Sequence, residues 1–475
     1  MADVLKPDIC VIGAGSGGLS VAAAAAAFGV SVVLIEKGEM GGDCLNTGCV
    51  PSKALIAAAK HAHGMTQAPD FGVTADKPKV NFKKVHDHVH DVIAAIAPMD
   101  SVERFESLGV TVLKETGRFK DKKTVIAGAT EIQARRFVIA TGSTAFVPPI
   151  EGIDSVEYET NETIFDRTRN PGKLIVIGGG PIGIEMAQAH HRLGARVTVV
   201  EGDRAMGKDD PELAAIVLEK LRAEGIVIHE KTKVVKISSR SKGGMEVHVE
   251  TESGEDVIEG DTLLVATGRS PSTAGLDLEK AGIEYDRRGI KVTNKMRTTN
   301  SRVYAIGDVA GGLQFTHMAG YHAGLVIKAI LFRLPAKENT DIIPWATYTD
   351  PELASIGHNE ASARENLKGF SILRWPYGEN DRAQTERKTT GLIKVIADKK
   401  GRIKGVGIVG ANASEMMNFW ALAVAKEMKV KDITDYVSPY PTMSEIGKRA
   451  ATSYYASMTR KPFVRSVIGF LRIFG

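Results

Sequence analysis

A chain of 475 residues, 43% hydrophobic and 25% charged, is long enough for about two to four domains with their own cores and is too balanced for a disordered or fibrous protein. Three cysteines are too few for a secreted disulfide scaffold and point to a reducing, cytoplasmic compartment, where a persistent pair is catalytic rather than structural. The net charge of +4 is accounted for by Arg460, Lys461, Arg465 and Arg472 near the C-terminus, so the rest is balanced and offers no nucleic-acid surface.

In chain order, the first predicted unit is a strand Asp8–Ile12, a turn Gly13-x-Gly15-x-x-Gly18, an Ala-rich helix Gly17–Phe28 and a strand Val30–Ile35 closing on Glu36. The glycines interrupt the apolar run, which therefore reads as βαβ rather than as a signal peptide or a membrane span. Such a turn lets a pyrophosphate approach a helix N-terminus, and Glu36 stands where an acid accepts from an adenosine ribose. Next comes Gly41-Gly42-Asp43-Cys44-Leu45-Asn46-Thr47-Gly48-Cys49-Val50-Pro51-Ser52-Lys53. A disulfide between Cys44 and Cys49 would close one turn at the start of a helix, whose dipole, with Lys53, favours a thiolate. Cys10, in the first strand, reads as a small core residue.

His61, His63, His86, His88 and His90 follow, with His86 and His90 on one helical face, but no carboxylate or cysteine pattern completes a set, and no metal site is expected. A β-run Gln133–Ala140 ends in Thr141-Gly142-Ser143, and Pro148 and Pro149 mark an exit from the first domain. The βαβ pattern then repeats: strand Lys173–Ile177, turn Gly178-x-Gly180-x-x-Gly183, helix Ile184–Leu193, strand Arg196–Val200 and Glu201. An acid in that place accepts from the 2′-hydroxyl of NAD and repels a 2′-phosphate, so NADH is expected over NADPH, although Arg204 is a residue type that meets such a phosphate. A second strand–Thr–Gly element, Asp261–Ala266 with Thr267-Gly268-Arg269, returns the chain to the first domain, and Val303–Ile306 leads to Gly307-Asp308. His317 beyond it is expected to position rather than react. From about Asp341, strands Leu392–Ala397 and Ile403–Val409 and an apolar helix Ala413–Met428 look like an α+β domain.

Together the Gly41–Lys53 run, the two glycine turns, Ala266–Arg269, Ala305–Asp308, Tyr348-Thr349-Asp350-Pro351-Glu352 and Pro441-Thr442-Met443-Ser444-Glu445 resemble the class I pyridine nucleotide–disulfide oxidoreductases over nearly the whole chain. The redox run is most similar to that of dihydrolipoyl dehydrogenase and mercuric reductase. The resemblance implies an α/β fold with two Rossmann-like domains and an α+β dimerisation domain. Its divisions are 1–150 for the first part of the FAD domain, 151–270 for the NAD domain, 271–340 for the second FAD part and 341–475 for the homodimer interface. It implies FAD at Gly13, Gly15, Gly18, Glu36, Lys53, Thr141, Gly142 and Asp308, and NAD at Gly178, Gly180, Gly183, Glu201 and Gly268. It also implies that Cys49 is the thiolate touching the flavin, that Cys44 meets the substrate, and that Lys53 pairs with Glu185.

One departure stands out. The dithiol-handling members place a His before the Pro-Thr of the C-terminal motif, as acid/base oriented by the Glu. Here Tyr440 occupies that place and Glu445 remains. A phenol with a pKa of about 10, against about 6.5 for imidazole, is a poor proton shuttle at neutral pH. Mercuric reductases resemble the chain in having a Tyr there, but they carry a C-terminal cysteine pair, and no cysteine follows Cys49 here. The expected activity is electron transfer from NADH through flavin and Cys44/Cys49 to a disulfide, quinone, metal ion or other small acceptor. Dihydrolipoyl dehydrogenase, and a membrane-docked redox sensor with slow turnover, are the alternatives. The tail 460–475 has Phe463, Val464, Val467, Ile468, Leu471 and Phe474 at helical spacing among basic residues. It reads either as an interfacial helix on an anionic membrane at the inner face of that membrane, or as a helix packed on protein, and is too short for a span.

Overall fold

The computed structural model describes residues 4–74, 76–241, 243–456 and 461–475. By its internal contacts the chain divides into two compact units, Met1–Gly202 with Ile228–Glu338, and Asp203–Val227 with Asn339–Gly475.

In the first unit a five-stranded sheet runs in the order Val303–Ala305, Arg136–Ile139, Ile9–Ile12, Val32–Ile35, Val110–Leu113, with every pairing parallel. Strands covered on both faces need apolar residues at consecutive positions, and Ile9, Cys10, Val11 and Ile12 are all buried. Ile9 and Val11 face a core shared with Ala22 and Ala25 of the helix Ser16–Ala27 and Val326 and Ile330 of the helix Thr316–Leu331. Cys10 and Ile12 face a second core with Phe119 and Phe137, and burial pushes the Cys10 thiol well above the ordinary range. The duplicated pattern builds a second parallel set from Arg196–Val200, Lys173–Ile177 and Thr262–Val265. An antiparallel meander, Lys233–Ser239, Met245–Thr251 and Gly254–Gly260, shares its core.

The repeat's helix starts at Pro181, three residues before the expected Ile184. Pro181 sits at the first helical position, where its fixed φ suits the helix and its missing N–H is no loss. The two strand–Thr–Gly elements pair with one another: Ser143–Ala145 runs antiparallel to Arg269–Pro271, and the Thr141 and Thr267 hydroxyls donate to the carbonyls of Ser272 and Phe146 at 2.7 and 2.8 Å.

The second unit is built on an antiparallel sheet in the order Pro344–Thr347, Glu352–Gly357, Ile403–Gly410, Leu392–Asp398, Phe370–Pro376. Met417, Trp420 and Ala423 of the helix Ala413–Ala425 lie in its core. The helix Pro211–Glu224 also belongs to this unit, capped by the Asp210 side chain, which accepts from the Glu212 N–H at 3.0 Å. Lys394, only 4% exposed on a central strand, meets Asp210, Glu212 and Glu360 at 2.9, 2.7 and 3.1 Å. Burial alone would lower its pKa, but the three carboxylates more than offset that and hold it above the usual lysine range. Lys394→Met leaves Asp210 buried without its cation, while Glu212 and Glu360 keep Arg374 at 3.1 and 3.0 Å. It is expected to cost about 3–5 kcal/mol, read as a lowered urea midpoint at pH 7.

Candidate active site

Both glycine turns solve one steric problem in the same way. Gly13 has φ +104°, and a Cβ there would stand 2.4 Å from the Ala140 carbonyl; a Cβ on Gly18 would stand 1.9 Å from the Gly13 carbonyl. Gly178 has φ +111° and the same 2.4 Å approach to the Ala266 carbonyl, while Gly183 approaches the Gly178 carbonyl at 2.0 Å. These outer glycines are required by the chain itself. The middle ones, Gly15 and Gly180, are different: nothing lies within 4 Å of a Cβ on either. Each is the N-cap of a helix with no side-chain cap, which leaves first-turn N–H groups for an anion such as a phosphate.

The acids follow the duplication too. Glu36 Oε2 accepts from the Ala14 N–H at 2.6 Å, and Glu201 Oε2 accepts from the Gly179 N–H at 2.6 Å. Glu36 Oε1 also accepts from the Gly38 N–H at 2.7 Å. Each carboxylate thus braces its own glycine turn. These residues fit one dinucleotide per copy.

Asp308 lies in the turn Gly307–Ala310, where Gly307 has φ +67°. Its Oδ2 accepts from the Ser143 hydroxyl at 2.5 Å, and burial raises its pKa above the usual carboxylate value. The turn is fixed from behind by His322, 2% exposed, whose Nδ1 accepts from the Gly307 N–H at 3.1 Å and whose Nε2 lies 2.9 Å from Glu338. Gly142 has φ +68° and its carbonyl accepts from the Ser272 N–H; Gly268 has φ +140°, and its carbonyl accepts from the Phe146 N–H.

The cysteines do not share one helix. Cys44 sits in a short helix Gly42–Asn46, Thr47 and Gly48 break it, and Cys49 is the first residue of Cys49–Gln67. The expected single turn is therefore two helical pieces joined by a bend, which aims both thiols at one point. Thr316, the first residue of the helix Thr316–Leu331, brings its hydroxyl within 3.3 Å of Cys49 Sγ. The hydrogen bond from Cys44 lowers the Cys49 pKa to about 6, and Thr316 and the charge of Lys53 add to this against the opposing effect of burial. The same bond, with burial, drives Cys44 far above the ordinary thiol range. The pair thus yields one proton early and keeps the other. In the reduced, flavin-free protein, iodoacetamide labelling of Cys49 is expected to reach half-maximum near pH 6, against about 8.5 for an ordinary thiol, while Cys44 stays unlabelled. A half-point near the ordinary value would contradict this assignment.

Lys53, one turn into the same helix, places Nζ 2.7 Å from Glu185 Oε2 of the helix Pro181–Arg192, with Glu185 only 5% exposed. Asp43, beside Cys44, is held by three donors on one oxygen: the Thr47 hydroxyl at 3.0 Å, Asn161 Nδ2 at 3.0 Å and Arg269 at 3.0 Å. Arg269 also donates from Nε to the Ser143 hydroxyl at 2.7 Å and lies 3.7 Å from Asp308. One guanidinium therefore ties the redox loop to the Asp308 turn. Sequence reading passed over Thr316 and Asn161, which carry no motif, and took Arg269 only as part of a turn.

In the second unit, Tyr440 is 69% exposed and its hydroxyl donates to Asp381 Oδ2 at 3.0 Å, a bond that raises its pKa. Glu445 opens the helix Glu445–Ser453. The His86 and His90 rings lie 4.1 Å apart, with His90 3.5 Å from Asp166. Among the described residues no group of three or more His, Cys, Asp or Glu side chains is placed to hold a metal ion.

Comparison with known proteins agrees with this geometry. Residues 7–323 match the family described as pyridine nucleotide-disulphide oxidoreductase, and residues 343–451 match its dimerisation domain, which supports a homodimer. The chain is 33% identical to a mercuric reductase of Bacillus cereus over 94% of its length and 71% of the relative's. It is 34% identical to a dihydrolipoyl dehydrogenase of Bacillus subtilis (strain 168) over 94% of its length and 96% of the relative's. Among solved structures it is similar to the Cu(II) complex of the HOCl-induced flavoprotein disulfide reductase RclA from Escherichia coli, with TM-score 0.83 and 27% identity over 93% of this chain and 98% of that one.

Proposed function

The chain belongs to the pyridine nucleotide-disulphide oxidoreductases, FAD-dependent enzymes of NAD(P)H and a redox-active disulfide, and from that membership we propose that its electrons leave through Cys49 and Cys44 to a soft metal ion bound directly by the two sulfurs. Bound FAD supplies the two-electron relay between nicotinamide and sulfur. The glycine turns and helix N-termini hold the two dinucleotides. Glu201 favours a 2′-hydroxyl over a 2′-phosphate, so NADH should exceed NADPH in kcat/KM by about tenfold or more.

The observation that carries the acceptor is the convergence of two thiols and the Thr316 hydroxyl at one point. Thiolate ligands select soft ions, and Cys49 is deprotonated at neutral pH without help from a base. Closing the pair to a disulfide releases two electrons and the Cys44 proton. A divalent ion reduced to the metal takes both electrons; two ions each reduced by one unit share them. This exchange asks nothing of the C-terminal motif. Dihydrolipoamide needs its thiol protons moved, and Tyr440, a donor to Asp381 with a raised pKa, is poorly suited to that. A solved relative is described as a Cu(II) complex, so a metal ion is a class of ligand that a protein of this fold takes.

Steady-state oxidation of NADH by the purified holoenzyme tests the reading, with buffered Cu(II), a water-soluble quinone and a disulfide as acceptors. Turnover with Cu(II) is expected to lead, and Tyr440→His to raise dihydrolipoamide turnover by about 10²-fold. Fast wild-type dihydrolipoamide turnover would make the protein a dihydrolipoyl dehydrogenase instead. A reducible flavin with no turnover by any acceptor would favour a sensor. The reading also places the protein at the inner face of a membrane, held peripherally through 460–475. Arg460 lies outside the described residues. No described helix is long and apolar enough to cross a membrane.

A further inference from the structure

The helix Pro462–Leu471 continues into a turn Arg472–Phe474. Phe463, Phe470, Leu471 and Phe474 are 77, 60, 57 and 73% exposed, and among the described residues nothing covers them. Phe463, Val467, Phe470 and Phe474 are spaced by three, four and seven along the chain and share one side of the helix. The Phe470 and Phe474 rings meet edge to face at 5.2 Å. Lys461, Arg465 and Arg472 fall along a separate strip, and no acid lies between Ser453 and Gly475. Those cations belong to the group that accounts for the net charge, and a surface of anionic headgroups is the complement of such a strip.

We infer that Lys461–Gly475 is an interfacial helix that docks on an anionic lipid bilayer, its phenylalanines in the acyl boundary and its cations on the headgroups. This rests on the peripheral membrane reading above and adds to it which side of the helix enters the lipid and which side meets the headgroups. A ten-residue helix is about 15 Å long, half the hydrocarbon core, so it lies in the surface plane rather than across it. Each cation near an anionic surface is worth about 1 kcal/mol, so three make binding to a neutral surface about 100-fold weaker.

Vesicle co-sedimentation of the holoenzyme tests this, with phosphatidylcholine alone and with phosphatidylcholine containing phosphatidylglycerol. Binding is expected to the anionic vesicles, about 100-fold weaker to the neutral ones, and reduced by added salt. Deleting residues 461–475, or combining Phe463→Ser with Phe470→Ser, should abolish pelleting and leave NADH oxidation unchanged. Equal, salt-insensitive binding to both vesicles would overturn the anionic surface and leave the membrane reading standing. Binding to neither would overturn both. Tail amides protected from hydrogen exchange without vesicles would mean that protein covers the helix, and would overturn the inference.

Discussion

Cys49→Ser is expected to lower NADH-driven reduction of a thiophilic acceptor by about 10³-fold or more, with flavin still bound. Serine keeps the shape of the residue but has no accessible anion at neutral pH, so the group that is deprotonated near pH 6 disappears. Cys44→Ser should cost a similar factor in turnover for another reason. It leaves the Cys49 thiolate in place but removes the partner needed to close a disulfide. The two variants separate in a spectrum. As purified, with no disulfide to occupy Cys49, Cys44→Ser should show the long-wavelength absorption of a thiolate beside an oxidised flavin and lose it once the flavin is reduced, and Cys49→Ser should not show it in either state. If the Cys49 variant kept both the band and its turnover, the sulfur pair would not be on the electron path.

Gly15→Val is expected to give a folded protein that binds FAD about 10²- to 10³-fold more weakly and purifies colourless. The argument is the open space at this position: a Cβ on Gly15 meets nothing of the chain within 4 Å, so the fold has no reason to fail. The side chain would stand at the N-terminus of Ser16–Ala27, where the proposed reading puts the pyrophosphate. Gly18→Ala provides the contrast, because its methyl would stand 1.9 Å from the Gly13 carbonyl and must open the turn itself. Thermal unfolding checks the pair. Gly15→Val apoprotein should melt like wild-type apoprotein, and Gly18→Ala should melt lower. Normal flavin content in Gly15→Val would place the pyrophosphate elsewhere.

The parallel sheet, the duplicated turns and the redox run were legible because they are local. Buried parallel strands need unbroken apolar runs, and a tight turn needs glycine where φ is positive, as at Gly13 and Gly178. The helix start at Pro181 was missed by three residues because the whole glycine pattern up to Gly183 reads as a turn, whereas its last part already lies in the first helical turn. What stayed hidden is the set of contacts between distant segments. Thr316 is 267 residues from Cys49, and Arg269 reaches Asp43 and Asp308 only after the two Thr–Gly strands have paired. The break at Thr47 and Gly48 was equally invisible, since the spacing of the two cysteines suits one continuous turn as well as two short pieces.

The helix Pro211–Glu224 lies inside the stretch that sequence pattern assigns to the second nucleotide module, yet its neighbouring acids grip Lys394. Excising that module at its apparent ends would carry away a helix without its counter-ion and strip a lysine of two of its partners. Fragments should therefore be chosen so that 203–227 is not parted from Lys394. Separate expression of the intact middle stretch should give poorly soluble material from both halves.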